Sequence, residues 1–200
     1  GEQLRLTLLH GTGSVRNVTI ERRPVGQLDF TLETQGDLLE LTGSGKAAGA
    51  PLNVRARAHL HGDYPAEGEV RFGQIALSTL YSLSGAKTDQ PLPLELFADG
   101  RIFFSAGLLK PEVWKAQLEL PTVILQPQTG ESNGSLRLTS TAPVRISINP
   151  KQASIERARF SGAGGSLEAS GRLVFATRGP QYDLRMIGNV NLEVLQNFDR

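Results

Sequence analysis

The chain has no cysteine among its 200 residues, and only one methionine and one tryptophan. The missing cysteine excludes disulfides, thiolate nucleophiles and thiolate metal sites together. No run approaches the ~18 consecutive apolar residues that a membrane-spanning helix needs. The opening Gly1-Glu2-Gln3 lacks the basic and apolar regions of a secretory signal, so an exported chain would be a segment of a longer protein. Charge of one sign is missing too: 21 basic side chains balance 20 acidic ones, for a formal +1. That balance leaves no electrostatic footprint for nucleic acid. Aromatics are only 6%, so any core must be built mainly of aliphatic side chains.

What the chain does have is alternation. Leu4, Leu6 and Leu8 alternate with Arg5 and Thr7, and Leu28, Phe30 and Leu32 with Asp29 and Thr31. The run Leu52, Val54, Ala56, Ala58, Leu60 alternates with Asn53, Arg55, Arg57 and His59. Leu94 and Leu96, Leu118 and Leu120, Ile146 and Ile148, Leu173 and Phe175, and Leu184 and Met186 continue the pattern. Period two puts the apolar set on one face of a strand and the polar set on the other. The expectation is an all-β chain of roughly a dozen strands. His10-Gly11-Thr12-Gly13, Asp99-Gly100, Asn133-Gly134, Asn149-Pro150 and Arg178-Gly179-Pro180 are expected turns, which makes neighbouring strands antiparallel. Residues 75–83 and 191–198 space their apolar side chains helically and are expected as two short helices.

Each expected helix closes a similar unit, residues 37–80 and 165–195: apolar-Glu-apolar, Ser-Gly, a long strand, a turn and another strand. This predicts a diverged repeat, with one partial β-groove unit over 1–90 and a second over 91–200. Pro111, Pro121, Pro127, Pro143 and Pro150 are placed to blunt strand ends or edges. The result expected is a long, curled antiparallel sheet forming an open groove. A closed sandwich or barrel is the alternative.

No motif speaks for catalysis. Gly43-Ser44-Gly45-Lys46 has Glu40 where a phosphate loop needs its first glycine and Ala47 where it needs Ser or Thr, so it is read as a hairpin turn. His59 and His61, followed by Asp63, share a face as a strand-borne metal site would. Arg55 and Arg57 lie on that face and oppose a cation, so the pair is read as solvated surface. His10 borders a turn, and no Gly-x-Ser-x-Gly elbow is present. No catalytic residue, cofactor or metal is expected.

One resemblance stands out. The stretches Ala142-Pro143-Val144-Arg145-Ile146, Ser154-Ile155-Glu156-Arg157-Ala158-Arg159-Phe160-Ser161-Gly162, Leu167-Glu168-Ala169-Ser170-Gly171-Arg172-Leu173 and Asp183-Leu184-Arg185-Met186-Ile187-Gly188-Asn189-Val190-Asn191-Leu192 resemble the translocation and assembly module TamB family. That family belongs to the AsmA-like, repeating β-groove envelope proteins. The resemblance implies a sheet folded lengthwise around an apolar groove. It also implies a periplasmic location, an inner-membrane anchor outside this segment, phospholipid transport towards the outer membrane, and work with a TamA-like outer-membrane partner.

For such a groove, alternation names the lining: Val54, Ala56, Leu60, Phe72, Leu96, Leu118, Ile146, Leu173, Phe175, Leu184 and Met186. Phospholipid acyl chains are the expected occupants, and Leu118→Arg is expected to block transfer. The rival expectation is a scaffold that captures outer-membrane protein strands by β-augmentation on a sheet edge.

Overall fold

The computed structural model describes residues 8–20, 23–76, 78–79, 94–127, 137–162, 165–176 and 179–190. They form one antiparallel sheet of 13 strands. Its elements are β1 (His10–Ile20), β2 (Arg23–Gln35), β3 (Leu38–Ala47), β4 (Ala50–His59), β5 (Pro65–Ala76), β6 (Leu94–Gly107) and β7 (Lys110–Leu120). They continue with β8 (Val123–Pro127), β9 (Leu138–Ser140), β10 (Val144–Ile148), β11 (Gln152–Gly162), β12 (Gly165–Ala176) and β13 (Gly179–Val190). The expected all-β, curled antiparallel sheet is the fold observed.

The strand order is β1-β2-β3-β4-β5-β6-β7-β10-β11-β12-β13, with β8 and β9 off this path. β8 pairs with the first residues of β6, and β9 pairs with β8 and with the far end of β11. β7 and β8 therefore occupy a single track, as do β9 and β10, and each track is broken midway. The breaks fall at residues 121–122 and 141–143, where Pro121 and Pro143 have no N–H to give to the ladder. Register shifts lie alongside, between Phe72 and Ile75 in β5 and between Ile155 and Ala158 in β11. Together they make a crease across the sheet. Thr141 N–H, donating to Arg159 O at 2.9 Å, and Val123 N–H, donating to Ser140 Oγ at 3.0 Å, tie it together.

The core sits in this crease. Ala98, Leu120, Val123, Val144, Ala158 and Phe160 are buried, with Phe72, Leu96, Leu118, Leu125, Leu138, Ile146, Ile155 and Leu167 packed against them. All of these lie on the same face of the sheet by register, some on each side of the break. The sheet is thus bent towards its apolar face. β1 and β13 do not pair with each other, so it remains open.

Several expected turns are strand interior. His10 to Gly13 begins β1, Asp99-Gly100 lies within β6 beside the register shift, and Gly43 to Lys46 lies within β3. The β3–β4 hairpin turns instead at Ala48 (φ 51°) and Gly49 (φ 82°), two successive positive φ values, as a tight hairpin requires. The glycines inside strands serve close approach: a Cβ on Gly68 would lie 2.6 Å from the ring of Phe104, its partner across β5–β6. Asn149-Pro150 does connect β10 to β11. Asn133-Gly134 and the helix expected at 191–198 lie outside the described residues.

Of the helix expected at 75–83, Ile75 and Ala76 instead finish β5, drawn in by pairing with Ala98 and Phe97. Ser78 and Thr79 are helical, and the remaining positions are outside the described residues. Ser78 N–H donates to Glu95 Oε1 at 2.9 Å, and Glu95 is buried. β5 and β6 pair along most of their length, so the sheet is continuous across the boundary expected near residue 90.

Candidate functional site: the apolar face

Cross-strand register converts the alternation into lateral rows. One runs Gly13, Phe30, Gly43, Val54, Val70, Ile102, Leu118, Ile146, Ile155, Gly171, Leu184, from one edge of the sheet to the other. The next runs Gly11, Leu32, Leu41, Ala56, Gly68, Phe104, Ala116, Ile148, Ala153, Leu173, Tyr182. Ten gaps of about 4.8 Å make each row about 48 Å long. Leaving aside the irregular end of β1 and β2 beyond Val18 and Gly26, the paired positions of this face among the described strands hold no charged residue. Thr34, Ser140 and Tyr182 are its few polar groups, and Thr34 Oγ1 is engaged by Leu9 N–H at 2.7 Å.

The lining residues expected from sequence fall into three environments. Phe72, Leu96, Leu118 and Ile146 pack against the crease core. Val54, Ala56, Leu60 and Leu173 are half-buried, with Leu60 one residue past β4, its N–H donating to Asp37 O at 2.7 Å. Phe175, Leu184 and Met186 are open to solvent, at 46%, 61% and 65% exposure, and Tyr182 stands beside them. The face is closed at the crease and opens towards β13. Phe30, Leu41, Val70, Ile102 and Phe104 belong to the same rows. Alternation marked Phe30, but the others needed the register to place them.

The opposite face carries charge ladders. Glu119 lies between Arg101 (2.7 Å) and Arg145 (3.1 Å), its cross-strand partners, and Glu168 between Arg157 (3.2 Å) and Arg159 (2.9 Å). The Arg101 hydrogen bond, helped by Arg145, holds the Glu119 carboxyl below its ordinary range despite partial desolvation. The hydrogen bond from Arg159 lowers Glu168, and that from Arg71 lowers Glu69. A carboxylate whose folded pKa is depressed stabilises the fold above its unfolded pKa, and that contribution is lost as pH falls through the folded value. The contribution of these carboxylates to the thermal midpoint should therefore be constant between pH 7 and 5 and fall once pH passes below about 4.3. Glu119→Gln should make that acid limb shallower in a pH series of melting curves. An unchanged limb in this variant would remove Glu119 from the account.

A cavity of about 930 Å³ also lies on the polar face, lined by Thr12, Ser14, Asp29, Asn53, Arg55 and Arg71 among others. Arg16 is paired with Asp29 and Arg71 with Glu69, so it offers mixed charge rather than a cradle for one sign. Asp37, His59 and His61 are the one grouping of metal-ligating side chains among the described residues, and they lie on the rim, off the apolar rows.

Fold and site together define an open, creased antiparallel sheet with one uncharged apolar face and one charge-laddered face. No family model, curated protein or solved structure matches the chain. Among the described residues no helix is long and apolar enough to cross a membrane.

Proposed function

We propose that this chain shields lipid acyl chains, as a segment of a periplasmic envelope protein that moves phospholipid between the inner and outer membranes. In this reading the longer protein is anchored in the inner membrane and works with a TamA-like partner in outer-membrane protein assembly. The observation that carries the proposal is the pair of uncharged rows of apolar and glycine positions that cross the sheet from β1 to β13. A buried methylene is worth about 0.8 kcal/mol, so exposing an acyl chain of ~16 carbons to water costs on the order of 10 kcal/mol. A row of Leu, Val, Ile and Ala side chains offsets that cost without a polar group that would hold the lipid at one place.

Leu118 packs against the buried cluster, so Leu118→Arg is expected to damage folding as well as binding. The discriminating positions are the exposed Leu184 and Met186. The test is native mass spectrometry with lipid extraction on chain purified from bacterial envelope. Wild type should carry phospholipid, and the Leu184→Arg/Met186→Arg double variant should carry about tenfold less with unchanged circular dichroism. Equal lipid in both, or none in wild type, overturns the proposal.

Among the described residues β13 pairs on one side only, and its other edge supports a second reading, strand capture by β-augmentation. Backbone capture would survive the two arginines and be lost on proline substitutions along β13, the opposite of the pattern expected for lipid.

A further inference from the structure

We propose that Asp37, His59 and His61 form a binding site for a divalent transition-metal ion of the zinc class on the rim of the sheet. Their ligand atoms all lie within 4.8 Å of one another. His61 Nδ1 is 3.0 Å from Asp37 Oδ2, and the two imidazole rings meet edge to face with centroids 5.4 Å apart.

The backbone supplies the arrangement. Asp37 sits in the β2–β3 turn directly after Gly36, whose φ is 65°. Leu38 pairs with His59, and Leu60 N–H donates to Asp37 O at 2.7 Å, so the turn is fastened to the end of β4. Past His61, Gly62 (φ 63°) and Tyr64 (φ 51°) turn the chain back, and Tyr64 N–H donates to His61 O at 3.2 Å. The three ligands are thus held by the β2–β3 turn, the last residue of β4 and the connection that follows it. Two imidazole nitrogens and one carboxylate oxygen suit a borderline ion such as Zn²⁺, and three protein ligands leave coordination positions open to water.

The charges around the site permit this. Arg57, expected from the alternation to repel a cation, is engaged by Glu67. Asp63, the carboxylate that sequence proximity offers to the histidines, is instead paired with Lys110 at 2.6 Å, so the acidic ligand comes from the other connection. His10 provides an internal comparison: it meets one carboxylate, Glu33, at 3.3 Å, with no second imidazole in its ion pair.

His61 and Asp37 are 64% and 51% exposed, so an ion can reach them and substitutions there leave the core untouched. The experiment is isothermal titration of Zn²⁺ into chelator-treated chain, with histidine ring resonances followed by NMR. Wild type should bind one ion, with the His59 and His61 resonances shifting and those of His10 unmoved. His59→Gln and His61→Gln should each weaken binding at least about tenfold, since removing even an outer-shell partner of a metal does so. Asp37→Asn should weaken it as well, and His10→Gln should leave it intact. Saturating Zn²⁺ should raise the melting temperature of wild type but not of His61→Gln. Absence of one-to-one binding, binding undiminished in either glutamine variant, or resonances of His10 moving with the others would overturn the site.

Discussion

Val123→Asp is expected to abolish cooperative folding. Val123 is 1% exposed, the largest fully buried side chain among the described residues. It opens β8 opposite Ala98, directly after the break that follows Pro121, and packs in the cluster with Leu120, Val144, Ala158 and Phe160. A carboxylate in that apolar cluster would be desolvated without a cation to pair it, at several kcal/mol. The whole fold is worth only about 5–15 kcal/mol, so one such charge consumes much of it. Val123→Ala, which removes two carbons and leaves a void, should cost about 2–3 kcal/mol. Urea unfolding monitored by circular dichroism measures both. A wild-type midpoint for the aspartate variant would mean that the crease is not the core.

Gly45→Val should destabilise by about 3 kcal/mol, at the upper end of what overpacking usually costs. Strand propensity alone points the other way, because valine favours a strand and glycine weakens one. Geometry decides the sign. A Cβ at position 45 would lie 2.0 Å from Gln27 O and 2.9 Å from Leu28 Cα, both backbone atoms of β2, so the β2–β3 ladder would have to part. Gly11→Ala is the matched control. It lies on the same face in β1 with nothing within 4 Å of its added carbon, so its midpoint should stay within about 0.5 kcal/mol of wild type. Urea midpoints of the two variants separate steric from propensity effects, and a stabilised Gly45→Val would refute the close approach.

The strands were legible because each holds its own evidence. Leu52 to Leu60 declares its apolar face within nine positions, and β4 presents that face. Turns were less legible, since glycine has two uses. At Gly49 it supplies a positive φ, whereas at Gly45 and Gly100 it lets a neighbouring strand or side chain come close, and composition does not distinguish these. Glu95 shows another limit: period two puts it on the polar face, yet it is buried there and accepts a hydrogen bond from Ser78 N–H, just past β5.

The crease was legible only in part: Pro121 and Pro143 were expected to blunt strand ends, and they do so after β7 and before β10. Pro121 and Pro143 lie 22 positions apart in the chain, and only the pairing of β7 with β10 and of β8 with β9 sets their breaks side by side. For the same reason the apolar rows were visible strand by strand but not as rows. His59 and His61 announced themselves by spacing, while Asp37, more than 20 residues earlier, joins them only through the register of β3 with β4.

A barrel has a circumference, so adding strands changes its radius and the tilt of every strand already present. This sheet has two margins that never meet, β1 and β13. Its capacity is therefore additive: each further hairpin laid along either margin would lengthen the apolar rows by about 10 Å and leave the existing curvature undisturbed. A protein on this plan can be matched to a distance by counting hairpins, much as a ladder is matched to a wall by counting rungs.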